Sequence, residues 1–171
     1  FYIFVGGVLV GSRGAQRSIG QPLLQGIPVL GICYGQQLMA HELGGKVVPG
    51  EKKEFGRQQL SVHAGGVARD GRLFAGLKRR ESVWFSHGDS VAKMPPGFKA
   101  IASSRTCKIA GMADEARKLY GVQFHPEVVH TPHGMKILEN FVFGIAGEER
   151  TWTIGDLRSK YVGELKKTIG G

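Results

Sequence analysis

Residues 27–45 read IPVLGICYGQQLMAHELGG. The first six, IPVLGI, are a short apolar run of the kind found in a strand buried on both faces. After Cys33-Tyr34-Gly35, residues Leu38, Met39 and Leu43 recur at helical spacing. Gly44-Gly45 then supplies a C-terminal stop. A buried strand, a sharp turn and a helix are therefore written without interruption. Cys33 falls between strand and helix, the geometry of a nucleophile elbow, which pushes a side chain out at the carboxyl edge of a sheet. A helix N-terminus favours a thiolate and offers backbone N–H groups to an anion. Gly31 and Gly35 permit the tight turn. The competing reading of Cys33 is a buried structural thiol.

Outward from this stretch the text is rich in turns, with 27 glycines in 171 residues. FYIFV at the start reads as a strand. VGSRGAQRSIGQ reads as a loop, and residues 1–25 as a whole, with five glycines and no acid, look unlike the rest. Downstream, residues 46–63 read as short strands with turns at Pro49-Gly50 and Gly56. VWFSHGDSV (83–91) reads as a strand ending in a polar loop. FKAIASS (98–104), CKIAGMAD (107–114) and KLYGVQFH (118–125) read as three further strands. HGMKILENFVFGIAG (133–147) reads as a helix whose stripe is Ile137, Leu138, Phe141 and Val142. Residues 148–171 turn charged, as a linker carrying a helix from about Ile154 to Thr168.

The composition bounds the function. The length suits one domain with a short appendage, and 42% apolar with 22% charged residues is ordinary globular usage, which argues against a disordered or coiled-coil chain. No run of about 18 apolar residues predicts a membrane span. No basic stretch precedes the apolar opening and no A-x-A site follows it, so it is not read as a signal peptide. Two cysteines, Cys33 and Cys107, make neither a disulfide scaffold nor a Cys-rich zinc site, and they fit a reducing cytoplasm. Cys107 is read as a core thiol. The net charge of +9 permits an acidic partner, but the cations are scattered and no nucleic-acid motif accompanies them.

Further side chains have chemistry of their own. His125 ends a strand, and Glu127 stands two residues on across a stiffening proline. This pair orients and charge-stabilises an imidazole and completes a Cys33-His125-Glu127 triad. The alternatives are a polar loop of His125, His130 and His133, or a metal site that no carboxylate or thiol spacing supports, so no metal is expected. In Ser86-His87-Gly88-Asp89, Asp89 is a candidate acid and His87 a candidate base, against the plainer reading of a turn that shows its backbone to a ligand. Gln37, one helical turn after Cys33, is placed to bond a polar ligand. Gly6-Gly7 is a weak candidate for an anion-binding loop. There is no GxGxxG and no P-loop, hence no ATP or dinucleotide site in this chain.

GIPVLGICYGQQLMAHELGG (26–45) and YGVQFHPEV (120–128) together resemble the two signatures of class I glutamine amidotransferases. VWFSHGD (83–89), EFG (54–56), AGMAD (110–114), HPEVVHTPHG (125–134) and the late ENFVF and TWT are most similar to the amidotransferase domains of GMP synthases. The resemblance covers about residues 26–155. It implies an α/β, three-layer fold with a central mixed, mostly parallel sheet and helices on both faces. It implies Cys33, His125 and Glu127 as the catalytic triad and the N–H groups of Tyr34 and Gly7 as the oxyanion hole. Gln37 and residues Ser86, His87, Gly88 and Asp89 would hold the substrate glutamine. The domain would need no cofactor, while ATP and Mg2+ would serve an ATP-pyrophosphatase-type synthetase partner, in the same chain or in a separate subunit. No nucleic acid and no membrane is implied. Residues 1–147 would be the glutaminase domain, and 148–171 a linker or the start of the synthetase domain. The family carries a further strand and helix upstream, so the chain reads as N-terminally truncated, with a sheet edge or core surface left open to homo-oligomerisation. Its oxyanion loop resembles Ser-Gly-Gly-Pro, where this chain has Val5-Gly6-Gly7-Val8. Two other readings remain: an amidotransferase for another acceptor (anthranilate, CTP or carbamoyl phosphate synthesis), and a non-catalytic docking module of the same fold.

Overall fold

The computed structural model describes residues 1–5, 8–11, 26–63 and 73–149. Eight strands form one sheet: β1 (Tyr2–Val5), β2 (Val8–Gly11), β3 (Val29–Ile32), β4 (Lys46–Val62), β5 (Arg80–Lys93), β6 (Lys99–Ser103), β7 (Gly111–Asp114) and β8 (Leu119–Val122). Their order is β2-β1-β3-β8-β7-β6-β4-β5. Helix α1 spans Tyr34–Glu42. Helix α2 spans Gly134–Glu139 and runs on as a π-helical segment over Asn140–Ile145. The reading of 10–21 as a loop, of 148–171 as a linker and of a helix over 154–168 falls largely or wholly on residues outside those described.

Alternation along the parallel strands builds two cores. Leu30 and Ile32 of β3 and Tyr120 and Val122 of β8 face a core shared with Phe74, Phe85, Phe124, Ile137 and Phe141. Val29 and Leu119 face the other side, with Tyr2, Phe4, Met39 and Ala40. So α1 covers one face of the sheet and α2 with its π-helical continuation the other, the three layers expected of the sequence. The sheet is mixed, as expected, but parallel pairing is confined to β1–β3 and β3–β8. The strands outside this trio pair antiparallel. The expectation of a mostly parallel sheet therefore holds only for the strands that position Cys33. The reason is local: among the described residues between β4 and β8 no long helix links one strand to the next, and parallel pairing needs such crossovers.

Two other expectations change. Residues 46–62 form one strand, bent by a register shift between Pro49 and Glu54 and by Gly56 at φ +103°. Its partner β5 runs straight through Ser86-His87-Gly88-Asp89, which is extended strand and not a loop. A polar composition is no obstacle there, because the two long strands satisfy each other's backbone.

Helix α1 lies unusually low on the sheet at its first turn. Gly31 and Gly121 are register partners on β3 and β8. A Cβ on Gly31 would sit 2.6 Å from the Gly35 carbonyl, and one on Gly121 2.9 Å from Gln36 Cγ. Gly35 itself rests against the Phe4 carbonyl of β1, leaving no room for a methyl group. Gly35→Ala is therefore expected to overpack this contact and cost about 1–3 kcal/mol, lowering the melting temperature by roughly 2–4 °C per kcal/mol. A thermal melt followed by circular dichroism checks it; an unchanged transition would contradict the contact.

Candidate active site

Strand β3 ends at Ile32, and the chain turns into α1 through Cys33, whose backbone sits at φ 53°, ψ −105°. For a side chain with a Cβ this left-handed conformation is strained, at about 1–3 kcal/mol, and such strain persists only where the surroundings impose it. Here the Cys33 N–H donates to the Val122 carbonyl at 2.8 Å, and the Cys33 carbonyl accepts from the Gln36 and Gln37 N–H groups. No side chain caps α1. The N–H groups of its first residues, Tyr34 and Gly35, have no intrahelical acceptor and lie beside the thiol.

The structure brings His125 and Glu127 to the side of Cys33. His125 Nδ1–H donates to Glu127 Oε1 at 2.6 Å. Interaction with the Cys33 side chain, then the bond to Glu127, favours the protonated ring and pushes its pKa up to about 10, against the opposing effect of partial burial. The thiol has two further neighbours, the Ser86 carbonyl at 3.7 Å and Gln123 Nε2 at 3.7 Å. His130 and His133 do not join His125. The first lies against the Trp84 ring, with centroids 4.5 Å apart, and the second donates to Glu81 Oε2 at 2.7 Å.

The remaining predicted residues form the wall beside the thiol. Gln37 is buried, and its amide donates to the Asp89 carbonyl at 2.7 Å and to Gln123 Oε1 at 3.3 Å. Ser86 and Asp89 are exposed on β5, while His87 is buried. His87 Nδ1–H donates to the same Asp89 carbonyl at 2.9 Å. A carbonyl only accepts, so the ring's other nitrogen is the unprotonated one when His87 is neutral. Burial pushes the His87 pKa below its ordinary value, chiefly against the pull of Glu54, its register partner on β4. His87 Nε2 and Glu54 Oε2 stand 3.7 Å apart, both buried and without a hydrogen-bond partner. Gly7, the second expected oxyanion donor, lies outside the described residues. Cys107 is buried in the core, which pushes its thiol up to about 12. That is the inert core thiol expected of it.

Sequence reasoning missed three residues of this site. Gln123 is fully buried and touches both the thiol and Gln37. Glu54 was legible only as part of EFG, since its partner lies 33 positions along the chain, at His87. Thr131 is buried and bonds the His125 backbone. Nothing in a single sequence ties Gln123 or Thr131 to the thiol, though both stand close to His125 in the chain.

Comparison with known proteins places the chain in a family. The family described as glutamine amidotransferase class-I matches residues 3–145. GMP synthases [glutamine-hydrolyzing] of Sinorhizobium fredii and Rhizobium etli are 47% and 50% identical over 96% and 95% of the chain. The chain spans about a third of the length of these relatives, 32% in each case. Among solved structures, a Thermoplasma acidophilum protein described as a GMP synthase subunit superposes with a TM-score of 0.67 at 33% identity, over 85% of this chain and 66% of that one. A glutamine amidotransferase of Thermotoga maritima aligns at 0.56 and 26%, over 88% and 54%.

The raised His125 pKa makes a prediction about stability. The folded chain binds the His125 proton more tightly than the unfolded chain, whose imidazole keeps its ordinary 6.5. The stabilisation is thus complete below that value and is lost as the pH rises toward about 10. The depressed pKa of His87 acts with the opposite sign, as stability lost when the pH falls below 6.5. Urea unfolding between the two limits should show stability declining with pH more steeply in the unaltered chain than in His125→Asn. Parallel slopes would rule the linkage out.

Proposed function

The chain belongs to the class I glutamine amidotransferase family, and on that premise we propose that it hydrolyses glutamine through Cys33, His125 and Glu127. The observation that carries the reading is the Cys33 elbow at the end of β3, beside an imidazole that follows the neighbouring strand β8 and is bonded through Nδ1 to Glu127 Oε1 at 2.6 Å. Cys33 Sγ attacks the side-chain carbonyl carbon of glutamine, forming the C–S bond and placing charge on the carbonyl oxygen. The free N–H of Tyr34, and that of Gly7 by family resemblance, stabilise this oxyanion. His125 gives a proton to the departing nitrogen, the C–N bond breaks, and ammonia leaves. A water molecule then attacks the thioester carbonyl carbon, giving a proton to His125; the C–S bond breaks with the Cys33 sulfur leaving as thiolate, and glutamate is released.

The wall of Gln37, Ser86, His87, Gly88 and Asp89 is where we place the glutamine. Gln37 serves it indirectly, since its own amide is engaged in holding the Asp89 carbonyl. By similarity to the GMP synthases, the ammonia passes to a synthetase that uses ATP and Mg2+ to aminate XMP to GMP. Residues 1–147 are then the glutaminase unit, and 148–171 lead into the synthetase.

A glutamine-mimicking diazoketone tests the nucleophile and the pocket together. Mass spectrometry should find one adduct, on Cys33, prevented by excess glutamine and absent from Cys33→Ala. His125→Asn should slow adduct formation on the order of 100-fold or more, the usual contribution of a positioned acid–base group. If the unaltered chain takes up no diazoketone while a small alkylating agent still modifies Cys33, the pocket is not assembled and the glutaminase reading fails.

A further inference from the structure

Strand β5 closes the sheet at one end, so among the described residues one side of it has no strand neighbour. An open edge of that kind must be covered or it pairs with whatever is available. At Trp84 the cover is the segment that carries His125. The His125 N–H donates to the Trp84 carbonyl at 2.9 Å. The Trp84 N–H donates to Thr131 Oγ1 at 3.1 Å, and the Thr131 hydroxyl donates to the His125 carbonyl at 2.6 Å. The three bonds close a ring in which both backbone polar groups of His125 are tied to β5.

We propose that Thr131 is a positioning residue of the site: its hydroxyl locks the His125 backbone onto the edge of β5 and so holds the imidazole against Cys33. Only a hydroxyl serves here, because one oxygen must accept from Trp84 and donate to His125. The side chain is 5% exposed, so water is a poor substitute. Loss of the hydroxyl leaves the part-buried Trp84 N–H and His125 carbonyl without this partner, and the segment relieves this by leaving the strand edge. The turns after it add to the lock. The Gly134 N–H donates to the Thr131 carbonyl at 2.9 Å, and Gly134 packs directly on the Pro126 carbonyl. His130 covers Trp84 from outside. The consequence for rate rests on the glutaminase reading; the lock itself does not.

Thr131→Val keeps the shape and removes the hydroxyl, while Thr131→Ser keeps the hydroxyl. In the full chain, two quantities are read for each: the titration midpoint of the His125 ring by nuclear magnetic resonance, and the rate of diazoketone labelling at Cys33. Thr131→Val should bring the midpoint down from about 10 toward 6.5 and slow labelling on the order of 100-fold, the usual result of a small misplacement of a catalytic group. Thr131→Ser should behave as the unaltered chain. A Thr131→Val chain that titrates and labels normally overturns the proposal, and so does a Thr131→Ser chain as impaired as Thr131→Val. Should Thr131→Val fail to fold, amide hydrogen exchange in the unaltered chain decides. A protected Trp84 N–H supports the lock, and one that exchanges like an open edge amide overturns it. If the unaltered chain takes no label, the glutaminase reading fails, while the titration and the exchange still decide the lock.

Discussion

The close contact between the first turn of α1 and the parallel strands is the constraint on which the site depends. Cys33 holds a backbone conformation that a side chain disfavours. It has no freedom to relax, because its N–H is bound to Val122 and the next turn is pressed onto Gly31, Gly121 and Phe4. Two glycines in register make a flat place on the sheet, and a third on the helix lets the backbones touch. The strain at Cys33 is thus offset by packing below it. Because the helix is held so low, its open N–H groups and the thiol are presented side by side at the strand ends.

Topology does the rest of the assembly. β3 and β8 are parallel neighbours in register, so they end at the same edge of the sheet. Cys33 follows the first directly, and Gln123 and His125 follow the second. Side chains after the carboxyl ends of adjacent parallel strands meet without any further device. A loop alone, however, would not fix the direction of an imidazole. His125 gains that from β5, at the far end of the strand order, through Trp84 and Thr131. The sheet must curl for its terminal strand to reach the segment following β8, and the bent, paired β4 and β5 supply the length to do so. An edge that would otherwise invite association is used to orient the imidazole.

What was legible in the sequence is what is local. Strand, elbow and helix over 27–45 follow from periodicity and glycine placement, and the His125-Glu127 pair from a two-residue spacing. The long β4–β5 pair was not legible. Pro49-Gly50 and Ser86-His87-Gly88-Asp89 have turn composition, and only the cross-strand ladder overrides it. Nor was the π-helical segment at Asn140–Ile145: Phe141 and Ile145 fit a regular helical stripe equally well. The roles of Gly121, Gln123 and Thr131 depend on partners far along the chain, at Gln36, Cys33 and Trp84. No local pattern encodes such contacts.

Charge at the site is likewise local. The chain carries a net charge of +9, yet the carboxylates nearest the two histidines, Glu54 and Glu127, are negative partners within 4 Å. Exposed charges beyond about 10 Å are screened by salt, whereas buried neighbours are not. The two rings respond differently because their partners differ in kind. His125 has a carboxylate at hydrogen-bond distance and a thiol beyond it, so its charged form is favoured. His87 has a carbonyl at its Nδ1 and a carboxylate too distant for a hydrogen bond, and desolvation prevails. One ring is thereby favoured in its charged form and the other in its neutral form, as a strut for the Asp89 carbonyl. The division follows first from the Cys33 side chain beside His125, which His87 lacks, and then from the distance to a carboxylate, 2.6 Å against 3.7 Å.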